Sequence, residues 1–331
     1  MRDFWKTAAH LAILVAGQAL AAAAGMTASH AQTYPSKTIR FIVPFTPGGS
    51  NDVVARVVGQ KLSEAWKQPV VVENKPGAGG NIGAEAAARA APDGYTFLIA
   101  ANNILAINPS LYDKVLFDPL KDFAPVTLFG TLPILLVVNP SVPAKSVQEL
   151  IAFGKSSPDG LTYASGGSGT PQHLSAELFK SITGVTTVHI PYKGNAPAVT
   201  DVMGGQVQML FSPVNSVVPH VKTGKLRALG VAGTARLPYL PDVPTIAEAG
   251  VPGFQSDIWL ALVAPAGTPQ DIVDKMGREV AAILAQPDVK EKLAAQGIEP
   301  AASSPEELTR LIKDDLVRWA KVIKESGARA Q

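Results

Sequence analysis

Cysteine is missing from all 331 positions. Its absence excludes a disulfide framework and a lipid-anchored cysteine, so stability must come from the core. Histidine is scarce, and only His173, His189 and His220 lie beyond residue 31. They stand apart from one another, no H-E-x-x-H occurs, and no run of Asp, Glu and His has ligand spacing, so the sequence offers neither a zinc site nor a triad. No glycine loop is closed by Gly-Lys-Ser or Gly-Lys-Thr, which argues against ATP. "GGSGT" (166–170) fails as a hydrolase elbow because Thr170 stands where G-x-S-x-G needs glycine. Charge is sparse too: 17% of residues, with a formal net charge of +2. No Lys/Arg cluster with interleaved aromatics occurs, which sets nucleic acid aside.

What the chain does have is 47% apolar residues, 29 Gly and 27 Pro, the composition of a well-buried protein with many defined turns. Its length suits one large or two medium domains, and two is the expectation. Residues 1–31 read separately. Arg2 and Lys6 precede the apolar run "LAILVAGQALAAAA", and "SHA" ends at Ala31 as a small-residue cleavage site, the pattern of a secretory signal. Nothing later approaches the roughly 20 apolar residues of a spanning helix. The expected product is a soluble, exported protein beginning at Gln32.

From there strand and helix patterns alternate: "IRFIVPF" before a helix over 52–66, "VVVEN" before "NIGAEAAARA", "YTFLIAA" before a turn-rich stretch, and "LPILLVV" before "SVQELIAFGKS". "LTYAS", "TTVHIPY", "VQMLFSP" and "LRALGVAG" continue the rhythm, which predicts a largely parallel α/β sheet. Residues 239–255 are rich in Pro and Gly. "IWLALVAPAG" then resumes a strand, and three helices follow. Thr268-Pro269 and Ser304-Pro305 read as cap and first helical position of the first and last of these, and Trp319 reads as core.

Four strand-to-helix joins are glycine-rich or polar: "TPGGSND" (46–52), "PGAGGNIG" (76–83), "SGGSGTPQ" (165–172) and "YKGNAPA" (192–198). At each a helix start directs unpaired N–H groups and a positive dipole end into the loop, and in a parallel sheet such loops share the carboxyl edge where ligands bind. This predicts main-chain donors for an anionic group. Thr170 before Pro171 is also a cap signature, and Asp52 fits either a helix cap or a ligand contact. "GAGGNIG" spaces its glycines as G-x-G-x-x-x-G rather than G-x-G-x-x-G, which keeps a nicotinamide-dependent enzyme as a rival reading.

"YPSKTIRFIVPFTPGGSNDVVARVV", "VVVENKPGAGGNIGAEAAARAAPDGYTFL", "INPSLYDKVLFDPLKDFAPVTL", "YASGGSGTPQHLSAELFK", "IPYKGNAPAVTDVMGGQVQMLF" and "LPDVPTIAEAGVPGF", in this order over residues 34–325, resemble the Bug (TctC-like) family. Its members are periplasmic solute-binding components of tripartite tricarboxylate transporters. The resemblance implies an α/β, two-lobed, type II-like periplasmic binding protein. Each lobe is a mixed, mostly parallel sheet flanked by helices, with the ligand cleft between lobes. Lobe one would comprise 32–130 plus 255–331, and lobe two 131–254.

The resemblance further implies a carboxylate gripped through main-chain groups and water. Phe45, Thr46, Gly48, Gly49 and Asp52 carry over from the first loop, and Ser165, Ser168, Gly169, Thr170 and His173 from the second lobe. Asn102, Tyr192 and Lys193 are further candidates, and Trp259 reads equally as cleft wall or core. Two departures from the family pattern are Phe117, where Tyr is common, and Leu105, where His is common. The second suggests a less polar ligand such as an aromatic acid. The expected function is capture of a small carboxylate, dicarboxylate or aromatic, by a monomer without cofactor or metal, for delivery to membrane subunits of the transporter. A ligand sensor for a signalling partner and an exported NAD(P)-dependent enzyme are the alternatives.

Overall fold

Ile39, Phe41 and Val43 of the strand Ile39–Val43 (β1) point to one side of a sheet and Ile42 to the other, and all four are buried. A strand buried on both faces from Phe41 to Val43 belongs inside a helix-covered sheet. The computed structural model, which describes residues 34–192 and 194–330, has it there. The expected signal segment, residues 1–31, lies outside the described residues.

In chain order β1 is followed by α1 (Ser50–Trp66), β2 (Val70–Asn74), α2 (Asn81–Ala88), β3 (Thr96–Ala101), α3 (Asn108–Leu111), β4 (Phe123–Leu132) and β5 (Ile134–Val138). Next come α4 (Val147–Ser156), β6 (Leu161–Ser165), α5 (Pro171–Thr183), β7 (Thr187–Pro191), α6 (Asn195–Met203), β8 (Met209–Pro213), α7 (Val214–Lys222) and β9 (Arg227–Val231). The chain ends with β10 (Ile258–Pro265), α8 (Gln270–Leu284), α9 (Pro287–Ala294), β11 (Glu299–Pro300) and α10 (Pro305–Ser326).

These strands build two sheets, ordered β11-β4-β10-β3-β1-β2 and β7-β6-β8-β5-β9. Parallel ladders join β1 to β2 and β3, and β6 to β7 and β8. Against the majority direction run β10, antiparallel to β3 and β4, and the short β11, antiparallel to β4, in the first sheet, and β5, antiparallel to β8 and β9, in the second. The result is two mixed sheets with a majority strand direction. From Lys37 onward the chain is one compact unit. It crosses from the first sheet to the second at Pro133 and returns to β10 after the Pro/Gly-rich stretch.

Helical spacing decides how the first sheet is covered. Val54, Val58 and Leu62 of α1 and Val273, Met276 and Val280 of α8 pack on the face that carries Phe41 and Phe97. Ala84 and Ala87 of α2 and Leu308, Ile312 and Trp319 of α10 cover the other. Burying each larger side chain stabilises the fold by roughly 1.5–3 kcal/mol. Ser304 forms a reciprocal capping box with Glu307, as its place before Pro305 leads one to expect.

Three local expectations change. Thr268 does not cap α8: its hydroxyl donates to Pro265 O, and Pro269 takes the cap position. The turn-rich stretch after β3 is wound into a π-type turn, Asn103–Ile107, leading into α3. Strand β4 was not expected, because Pro125, Thr127 and Gly130 interrupt its apolar pattern. Pro125 pairs with Val263 at a register shift of the β10 ladder, where a missing N–H is tolerated.

Candidate functional site

A cavity of about 530 Å³ lies between the two sheets. One wall holds Phe45, Thr46, Gly49, Ser50 and Asn51, Gly79, and the 101–112 segment. The facing wall is Ser168, Gly169, Thr170 and Pro171. Among the described lining residues there is no Asp, Glu, Lys, Arg or His. Fixed charge at this site therefore comes from helix ends rather than side chains.

The first wall is the amino end of α1. Its cap residue is Gly49, extended at φ −77 and ψ 171, with no side-chain cap, and the first helical bond is Val53 N–H to Gly49 O. The N–H groups of Ser50, Asn51 and Asp52 thus precede the helix ladder and need acceptors from elsewhere. Asp52 does not line the cavity. Its carboxylate accepts from Gly48 N–H, the Asn74 amide and, through two bonds, Arg56. Burial alone would raise the Asp52 carboxyl, but these bonds outweigh it and hold it at about 2. An anion so committed braces the loop.

Within this wall, asparagines tie the neighbouring loops together. Asn103 donates to Gly79 O at 2.8 Å, and Asn108 to Gly79 O and Asn81 Oδ1. Asn51 donates to Ile99 O and Asn102 to Asp257 O, both at 3.0 Å. Gly79, at φ +63, is packed so that an added Cβ would run into the Tyr112 hydroxyl. Only glycine allows that approach.

The facing wall is the amino end of α5, and most of its donors are used within the loop. Gly169 N–H donates to His173 Nδ1 at 2.9 Å, Thr170 N–H and hydroxyl to Gly167 O, and His173 N–H to Thr170 Oγ1. Pro171 has no N–H. Beneath the loop, the His173 and His189 rings stack at 4.2 Å with Tyr163 4.8 Å from His189, and Ser165 Oγ lies 2.6 Å from His189 Nε2. Burial lowers both imidazoles, His189 to about 4 with His173 adding to the effect. A ring that accepts through Nδ1 is unprotonated there, so geometry and burial agree on a neutral His173. Burial and its bond to Glu177 push the Tyr163 hydroxyl up.

The walls touch. Leu111 packs on Gly169 so closely that a Cβ there would overlap its Cδ2. Ala330 N–H donates to Leu111 O, bringing the carboxyl-terminal tail to the same place.

Of the residues expected at a site, Phe45, Thr46, Gly49, Asn102, Ser168, Gly169 and Thr170 line the cavity. Gly48 is exposed beside the cavity and not part of its lining, and Asp52, Ser165 and His173 are buried one layer behind, holding the loops. Tyr192 is turned away, donating to Asp201. Trp259 is core: Ile258 and Leu260 line the cavity, so strand alternation sends Trp259 to the opposite face, where its Nε1 donates to Asp315 at 2.7 Å. Leu105 is fully buried and shapes no part of the lining. The ligand preference expected from it loses its basis. Lys193 lies outside the described residues.

Sequence reasoning missed Ser50, Asn51, Asn103, Asn108, Leu111, Tyr112, Ile258, Leu260 and Ala330. The repeated asparagines of "ANNILAINP" were the available signal for two of these. For Ala330 there was none.

Comparison with known proteins gives a consistent picture. The family model described as "Tripartite tricarboxylate transporter family receptor" matches residues 54–328. Protein BugT of Bordetella pertussis is 41% identical over 310 residues, covering 93% of this chain and 95% of its own. Among solved structures, R. palustris Rpa4515 with adipate is 39% identical at TM-score 0.75, covering 89% of this chain and 99% of its own. MatC from Rhodopseudomonas palustris with bound malate is 34% identical at TM-score 0.70, covering 88% and 100%. The two-lobed α/β architecture is that of periplasmic binding proteins.

Proposed function

The chain belongs to the tripartite tricarboxylate transporter receptor family, TctC, and on that basis we propose that it is an exported periplasmic solute-binding protein for a small organic carboxylate. The observation that carries this reading is the uncapped amino end of α1 facing a cavity with no charged side chain among its described lining residues. Helix N–H groups and the dipole supply a ready anion site. The adipate and malate held by two relatives are carboxylates, which supports the same chemistry here.

In this reading Phe45, Thr46, Gly49, Ser50 and Asn51 hold the carboxylate by main-chain bonds and bridging water. Ser168, Gly169 and Thr170 meet the far end, and Asn102 flanks it. Residues 32–130 with 255–331 move as one lobe against 131–254, hinged where the chain crosses between sheets. The protein performs no covalent chemistry and presents its closed form to membrane subunits that take up the ligand.

The test is a thermal-shift panel on protein beginning at Gln32, with linear and aromatic carboxylates, amino acids and NAD(P). At 100 times the dissociation constant a ligand adds roughly 2.7 kcal/mol, enough to move the melting temperature visibly. Stabilisation by carboxylates is expected. Stabilisation by NAD(P) alone would overturn the reading.

A further inference from the structure

Each wall of the cavity presents the amino end of a helix, and the two ends differ in how many donors they leave unused. Resting on the carboxylate-binding reading above, we propose that the ligand carries a single carboxylate, seated on the first turn of α1, and turns an uncharged, largely apolar end to the Ser168–Pro171 wall.

The argument is a census of donors. On the α1 side Gly49 caps nothing and the helix ladder starts at Val53 N–H, so Ser50 and Asn51, both lining the cavity, have main-chain N–H groups to offer an anion. On the α5 side Gly169 N–H is held by His173 Nδ1, Thr170 N–H and hydroxyl by Gly167 O, and Pro171 has no N–H. That leaves the N–H and hydroxyl of Ser168 as the unused donors on that wall among the described lining residues, two for the roughly four acceptor sites of a carboxylate, whereas the α1 side adds the Thr46 and Ser50 hydroxyls to the Ser50 and Asn51 N–H groups.

The side-chain amides belong to the first wall and add nothing to the second. Asn51, Asn102, Asn103 and Asn108 all donate to protein acceptors. Asn102 is 2% exposed, and its Nδ2 bond to Asp257 O fixes the orientation in which Oδ1, an acceptor, has no protein partner. An unpaired acceptor at that place adds no donor for a second carboxylate. Between the two helix ends the lining is Leu111, Leu132, Ile258 and Leu260, with Tyr112 and Ala330 beside them. A second negative charge brought here would lose its water and gain few donors, those of Ser168 and the Tyr112 hydroxyl.

Calorimetric titration of the chain beginning at Gln32 with matched pairs tests this: hexanoate against adipate, heptanoate against pimelate, benzoate against terephthalate, phenylacetate against phenylenediacetate. Within every pair that binds, the monoacid is expected to be at least tenfold tighter. Adipate, which the 39%-identical relative holds, is the direct contrast. A diacid equal to or tighter than its monoacid overturns the single-carboxylate inference and leaves the carboxylate reading standing. No binding by any acid overturns both. A folded Ser168→Arg variant, which adds a cation to the second wall, is expected to reverse the order. If it keeps the wild-type order, the far end does not lie on that wall.

Discussion

The loops Thr46–Asp52 and Ser165–His173 look alike in sequence and behave oppositely. Both follow a strand and open a helix. In both, a glycine at positive φ, Gly48 at +90 and Gly169 at +77, gives its N–H to the side chain four residues on. The acceptor is an ionised carboxylate in one and a neutral imidazole in the other. What separates them is the pair at the helix start: Gly49-Ser50 caps nothing, whereas Thr170-Pro171 closes its own terminus. Cap chemistry, rather than glycine content, decides which loop can receive an anion.

The sharpest way to break this contrast is Ser50→Pro. Position 50 is the first helical residue and Gly49 is already extended, so proline fits the backbone and deletes one N–H. A hydrogen bond to a charged group contributes roughly 1.5–3 kcal/mol, so carboxylate affinity should fall about 10- to 100-fold in calorimetric titration while the melting temperature of the unliganded protein holds. Unchanged affinity would move the carboxylate off α1.

Gly169→Ala comes next. The backbone at +77 and the contact with Leu111 both oppose a Cβ, and the contact exists only while the walls are together. Affinity should drop about tenfold, as roughly 1.4 kcal/mol of penalty on the closed form implies. The double variant with Leu111→Ala should recover part of it. A double variant no tighter than Gly169→Ala would remove steric contact as the cause.

The smallest effects are in stability against pH, where the two loops should separate. His189 is held at about 4, below the 6.5 of a free imidazole, so the unfolded chain binds more protons between those values. The stability tied to the neutral pair is complete above pH 6.5 and is lost as pH falls toward 4. Asp52, at about 2 against an ordinary 3.8, contributes stability that is complete above 3.8 and lost as pH falls through 2. That carboxylate is worth roughly 2 kcal/mol. In melting temperature followed against pH, His189→Gln should flatten the upper window and Asp52→Asn the lower. Identical profiles for the two variants would refute the separation.

Strand–helix rhythm, the caps at Thr170 and Ser304 and the two principal loops were legible because each is written in local sequence. The rest depends on partners distant in the chain. Period two says that Trp259 and its neighbours face opposite ways, but which face meets the cavity is settled only by α10, whose Asp315 takes the indole N–H. His173 and Ser165 have the chemistry of ligand contacts, and a one-layer difference in depth, invisible in sequence, keeps them out of the lining. Ala330 reaches the cavity from the far end of the chain through one bond to Leu111, which no spacing could announce. Strand β4 stayed hidden because Pro125 sits where a ladder irregularity makes it tolerable.

The central claim is that the main chain of one loop, and not a side-chain charge, holds the ligand's carboxylate. The most direct test is a crystal structure with the tightest-binding acid from the panel. The account expects the carboxylate oxygens within hydrogen-bond distance of the Ser50 and Asn51 nitrogens, directly or through one water. A carboxylate found against a Lys or Arg side chain, or on the Ser168–Pro171 wall, would contradict it.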